Sequence, residues 1–103
     1  MRPGATRAVH IFDECDVDYE VVNVWKPKDG QAGDQIEWHS TGPAFTIDFD
    51  SSPFKSDHFE VPAGGCTSSG PVRDDAIYAR YHYTIRSKAN LAMSADPDVD
   101  VRK

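Results

Sequence analysis

An all-β sandwich or barrel is the fold class this sequence predicts, and three observations predict it. About seven short runs alternate apolar and polar residues, the side-chain period of an extended strand. Clusters of Gly, Pro, Asp and Ser separate these runs and supply the turns. Helical periodicity is weak throughout, so at most one short helix is expected, at Lys88 to Ser94 (KANLAMS), where seven residues are marginal alone.

The elements follow in order. Ala8 to Phe12 is the first expected strand, ending at the acidic cluster Asp13, Glu14, Asp16 and Asp18. Tyr19 to Trp25 (YEVVNVW) is the second, closed by a turn at Pro27, Lys28, Asp29 and Gly30, where Asp-Gly tolerates positive φ. Asp34 to His39 puts Ile36 and Trp38 on one face, with Glu37 and His39 on the other. Phe45 to Phe49 turns Phe45, Ile47 and Phe49 inward and Thr46 and Asp48 outward. His58 to Val61 repeats the pattern with Phe59 and Val61 inside. Pro62 to Asp75 (PAGGCTSSGPVRDD) reads as one long surface loop, because Gly, Ser and Pro dominate it. Tyr78 to Ile85 is the strongest late strand, with Tyr81, Tyr83 and Ile85 opposite Arg80, His82 and Thr84. Asp98 to Arg102 closes the set, with Val99 and Val101 inward.

The chain has 103 residues, which is one domain, 1–103, with a single core. The aromatic candidates for that core are Phe12, Trp25, Trp38, Phe45, Phe49, Phe54, Phe59, Tyr81 and Tyr83. A formal charge of −6 repels phosphate backbones, so nucleic acid is excluded as a partner. No apolar run approaches the roughly 20 residues that span a bilayer, so no membrane partner is expected. Arg2, Arg7, His10, Asp13 and Glu14 interrupt any apolar leader, so the chain as given reads as cytoplasmic. Removal of a leader would make it periplasmic or secreted. Two cysteines, Cys15 and Cys66, are too few for a disulfide scaffold; free thiols are the leading expectation, with a single Cys15–Cys66 bridge the alternative in an oxidising compartment.

Laid out this way, most of the chain from about Tyr19 onward resembles a cupredoxin-like β-sandwich. Gly33-Asp34 followed by Ile36 and Trp38 looks like the family's turn-then-strand motif, GD-x-V-x-W. Pro43 to Asp50 looks like the strand that opens with a copper histidine, and Tyr81 to Ile85 like the strand that delivers the copper cysteine. Ala92 to Val101 looks like the methionine-bearing loop and closing strand. The resemblance implies a Greek-key sandwich, but the ligands are missing. Ala44 or Phe45 stands where the first histidine belongs, Ile85 where the thiolate belongs, and Arg86 to Asn90 holds no second histidine. Met93 alone remains. A blue-copper centre needs two imidazoles and a thiolate, with methionine contributing least, so no cofactor is expected. Phe45 and Ile85 are expected to fill that region as core. The chain is similar to copper-free cupredoxin-like domains found in bacteria, and the SPF at Ser52 to Phe54 and the DPDV at Asp96 to Val99 suit that group.

Other constellations carry less. Of His10, His39, His58 and His82, strand parity sends the last three outward, where neighbouring strands can assemble a Zn²⁺ or Cu²⁺ site with Asp48 or Asp57. Asp96, Asp98 and Asp100 alternate like calcium ligands, yet Pro97 and the missing distal glutamate favour strand-edge charges. Cys66 has no activating cation nearer than Arg73, so it is not expected as a nucleophile. The leading expectation is a non-enzymatic, protein-binding module whose contacts are Val72, Arg73 and Asp74 in the long loop. The alternative is a copper- or zinc-binding protein using His39, His58 and His82.

Overall fold

The computed structural model describes residues 4–12, 15–90 and 92–102. Among them are nine strands and no helix, in two mixed sheets that pack as a β-sandwich. In the smaller sheet, β1 (Thr6–Ile11) runs parallel to β3 (Gln35–Ser40), which pairs antiparallel with β6 (Cys66–Pro71). The larger sheet has the order β2 (Val21–Trp25), β9 (Asp98–Arg102), β7 (Arg80–Ser87), β4 (Phe45–Phe49) and β5 (His58–Val61). The short β8 (Ser94–Ala95) adds to β7. β2 and β9 are parallel, and the other neighbours in this sheet are antiparallel.

Every expected strand forms, with Phe45–Phe49, His58–Val61 and Asp98–Arg102 at the expected bounds. The expected turn at Asp29-Gly30 forms too. Lys28 and Gln31 exchange backbone hydrogen bonds, and Gly30 takes a φ of 75°.

The long loop is not a loop. Its middle is β6, which the alternation rule misses because Cys66, Thr67, Ser68, Ser69, Gly70 and Pro71 offer no apolar face. Cross-strand hydrogen bonds to β3 hold it instead. Where the β3–β6 register shifts between Gln35 and Glu37, the buried Ser69 hydroxyl accepts from Ile36 N at 2.9 Å, standing in for a backbone carbonyl. On its other side, Thr67 Oγ1 donates to Glu60 O on β5 at 2.6 Å and ties the two sheets together. The expected helical turn at Lys88 to Ser94 is also corrected, with Leu91 outside the described residues. Ser87 Oγ accepts from Ala89 N and Asn90 N, which bends the chain back into β8.

The core lies between the sheets. Val9, Ile11, Ile36 and Trp38 come from the smaller sheet, and Val24, Phe45, Ile47, Tyr83, Ile85 and Val99 from the larger. Trp38 meets Phe59, Tyr83 and Phe49 at ring-centroid distances of 5.2, 5.7 and 6.3 Å, so one ring from β3 binds three strands of the opposite sheet. Burial pushes the Tyr83 phenol up to about 12, against a hydrogen bond from Trp38 Nε1 that acts the other way. Two aromatic candidates fall outside the core. Phe12 is 49% exposed, and Trp25 is half-buried under the Arg7 guanidinium at 5.3 Å.

Gly33-Asp34 has a physical explanation here. The Asp34 carboxylate is buried and accepts from Ala5 N at 2.9 Å, Trp25 N at 3.1 Å and Arg7 Nη2 at 3.5 Å. Its backbone N donates to Trp25 O, and its carbonyl accepts from Val72 N, both at 2.9 Å. One residue therefore joins the segment before β1, the end of β2, the start of β3 and the segment after β6. A Cβ on Gly33 would stand 2.6 Å from Val72 O, so the close approach requires glycine.

Candidate metal centre on the smaller sheet

β3 is flanked on both sides, and its alternation sends Ile36, Trp38 and Ser40 inward and Gln35, Glu37 and His39 toward the outer face. Register then decides who meets whom. His39 is the cross-strand partner of Cys66 on β6 and of His10 on β1. Paired residues share a face, so His10, His39 and Cys66 form one row across the whole sheet. Glu37, two residues before His39, stands beside it, with its Oε1 2.7 Å from His39 Nε2.

The ligand atoms of Glu37, His39 and Cys66 all lie within 4.8 Å of one another. Donors at bond lengths of about 2.0–2.3 Å around a tetrahedral ion stand about 3.3–3.8 Å apart, so closure by roughly an ångström makes a coordination set. Glu37 and His39 are half-buried and Cys66 is exposed, which leaves these side chains room to close. Carboxylate, imidazole and thiolate together suit a borderline divalent ion such as Zn²⁺ better than a hard ion such as Mg²⁺ or Ca²⁺.

His39, His58 and His82 do not converge. His39 lies on the smaller sheet, while His58 on β5 and His82 on β7 belong to the larger one, with β4 between them. Each is engaged locally. His58 Nδ1 stands 2.6 Å from Asp48 Oδ1, and His82 Nδ1 bonds Asp98. Asp98 and Asp100 also pair with Arg80 on β7, and Asp100 with Arg102. Since β9 is interior to its sheet, these acids are cross-strand partners rather than edge charges. Asp96 accepts from Thr84 Oγ1.

The hydrogen bond to Asp48 holds the His58 imidazole above its ordinary value. Desolvation opposes this, and the charges of Asp48, Glu60 and Asp57 each add a smaller upward push. The protonated form is favoured in the fold, so its stabilisation is complete below about pH 6.5 and fades as pH rises through the higher folded value. Asp48→Asn is therefore expected to lower the melting temperature at pH 5.5 more than at pH 8.5. The loss should stay below about 1 kcal/mol, because both side chains are about half exposed and screened. Melting curves across that range at low and high salt check it; a loss that grows toward alkaline pH contradicts it.

The three expected contact residues part ways. Val72 is 2% exposed and belongs to the core, so it offers no contact surface. Its apolar side chain follows β6 inward, which a loop reading cannot foresee. Arg73 is half-buried, its Nη2 donating to Ser52 O at 2.6 Å and its Nη1 3.4 Å from Asp75. Asp74 is exposed. Cys15 is buried, its thiol donating to Met93 O at 3.5 Å, and burial pushes that thiol up. Cys66 is free on the outer face.

Reading along the chain places His39 among metal-ligating candidates but misses Glu37, Cys66 and His10 as its companions. The Glu37-x-His39 spacing on one strand face was the available signal. The β6 pairing that delivers Cys66 was not. No family model matches the chain, and no curated protein matches it.

Proposed function

We propose that this β-sandwich binds one divalent transition-metal ion, with Zn²⁺ as the reference ion, on the outer face of its smaller sheet. The observation that carries the reading is the convergence of Glu37, His39 and Cys66 within 4.8 Å. Three different donor types meet there on two adjacent strands, held by the β3–β6 register. The role is binding rather than catalysis. The site lies on the open outer face of the sheet, with Cys66 exposed.

Isothermal titration of the reduced protein with Zn²⁺ tests this. One ion per chain is expected, and Cys66→Ser or His39→Ala should weaken binding roughly tenfold or more, because losing a direct donor costs at least as much as the 10–100-fold typical of outer-shell changes. His58→Ala and His82→Ala should bind as the wild type does. Wild-type affinity no tighter than that of a Cys66→Ser/His39→Ala double variant ends the proposal.

A second reading treats the chain as a copper-free, cupredoxin-like Greek-key module that binds a protein. Two observations support it. Phe45 and Ile85, which stand where the resemblance places a copper histidine and the copper cysteine, are fully buried apolar residues. Edge strands β1 and β2 flank a groove of about 570 Å³ lined by Tyr19, Val21 and Trp25, with Tyr19 58% exposed, although residues 16–18 already occupy the β1 edge at His10 and Ile11. Free sheet edges accept an added strand from a partner, and alternate side chains then fill pockets in the groove. This groove, rather than Val72, Arg73 and Asp74, is the surface such a partner would use.

A further inference from the structure

The outer-face row does not stop at His39. His10 is the next residue along it, paired in register with His39, and the two imidazoles stack with centroids 5.1 Å apart and planes 24° from parallel. On the free edge of β1, Asp18 grips His10 twice. Asp18 Oδ1 accepts from His10 N, and Asp18 Oδ2 lies against His10 Nδ1, each at 2.9 Å. Asp18 itself is placed by its own backbone N, which donates to His10 O at 3.2 Å, and by the neighbouring Ile11–Val17 bridge.

A carboxylate on Nδ1 makes that nitrogen the N–H donor and leaves the Nε2 lone pair for another bond. That is the arrangement in which metal-ligating imidazoles are usually found, with the outer carboxylate fixing tautomer and basicity. Each stacked ring is held by a carboxylate, His10 by Asp18 and His39 by Glu37, and a cation would bring the remaining His10 nitrogen and the Glu37–His39 pair to one centre.

We infer that His10 is the fourth protein ligand of the Glu37–His39–Cys66 site, and that Asp18 is its positioning residue. The inference rests on the metal-binding reading and deepens it. A Cys-His₂-Glu set fills a tetrahedral sphere with protein donors, so the ion is held in a closed, structural manner with no position kept for a substrate. The half-exposed His10 ring turns edge-on from its stacked position to ligate, and Asp18 remains outside the sphere.

Co²⁺ alone, added to the full chain, is the probe. Binding through Cys66 gives a thiolate-to-metal charge-transfer band, and four-coordinate geometry gives intense visible d–d bands. His10→Ala is expected to weaken Co²⁺ and Zn²⁺ binding about tenfold or more, at least as much as an outer-shell change, and to dim the d–d bands while the thiolate band persists. Asp18→Asn should weaken binding about tenfold with the four-coordinate spectrum kept. As a check independent of any variant, the His10 Nε2 resonance should shift on Zn²⁺ addition in long-range ¹H–¹⁵N spectra of the wild type. If the wild type shows the thiolate band but His10→Ala matches it in affinity and spectrum and the Nε2 resonance stays put, His10 is not a ligand and the three-residue site stands. If the wild type shows no thiolate band and no binding, both proposals fall.

Discussion

Replacing Trp38 with alanine is expected to cost about 3–5 kcal/mol, the range for emptying a buried large aromatic site. Domains of this size are stable by only about 5–15 kcal/mol, so the variant will sit near its folding threshold. The cost is large because of where the ring stands. Trp38 is fully buried on β3 and touches Phe59, Tyr83 and Phe49 from β5, β7 and β4. Its removal opens a cavity at the junction of the two sheets and leaves Tyr83 Oη, itself buried, without the indole donor 3.3 Å away. Trp38→Phe separates the two contributions, since it keeps much of the ring packing and loses the hydrogen bond. About 1–3 kcal/mol is expected for it. Urea unfolding of both variants measures the difference. A Trp38→Ala loss below about 1 kcal/mol would mean that the two sheets do not depend on this ring.

Asp34→Ala is expected to cost about 3 kcal/mol or more, although it deletes no apolar surface. Two part-buried backbone N–H groups, from Ala5 and Trp25, lose their acceptor, at up to about 1–3 kcal/mol for each donor left unpaired. Arg7 loses its counter-charge as well but is 43% exposed and regains water, so it adds little. Asp34→Asn keeps one acceptor oxygen where the carboxylate used both, and should fall between wild type and alanine. Asp74→Ala, on an exposed residue, is the matched control and should stay within about 0.5 kcal/mol of wild type. Urea midpoints of the three variants, together with hydrogen exchange at Ala5 and Trp25, decide it. Protection of those two amides that survives Asp34→Ala would show that another group holds them.

The two variants act on different levels of the same architecture. Trp38 supplies packing between sheets, and Asp34 supplies the polar joint where four chain segments meet at one end. The candidate metal centre sits on the far side of β3 from the core, so Cys66→Ser and His10→Ala can be made without touching either. That separation makes metal affinity readable apart from stability.

Much of this was legible along the chain, for an identifiable reason. Side-chain direction in a strand is local, so alternation at Phe45 to Phe49 or Tyr81 to Ile85 determined which residues are buried, and all six of Phe45, Ile47, Phe49, Tyr81, Tyr83 and Ile85 are. The Asp29-Gly30 turn was legible too, because positive φ is a property of one residue. Where apolar alternation was absent the reading failed. β6 carries small polar residues, so its pairing with β3 left no trace, and Val72 beyond it was assigned to a surface it does not reach. Alternation placed His39, His58 and His82 outward, but face is not neighbourhood. Sheet order put β4 between the strands of two of them and gave the third a different sheet. Only long-range pairing and register set His10, His39 and Cys66 in one row, because hydrogen bonds between strands distant in sequence choose neighbours that no local period encodes.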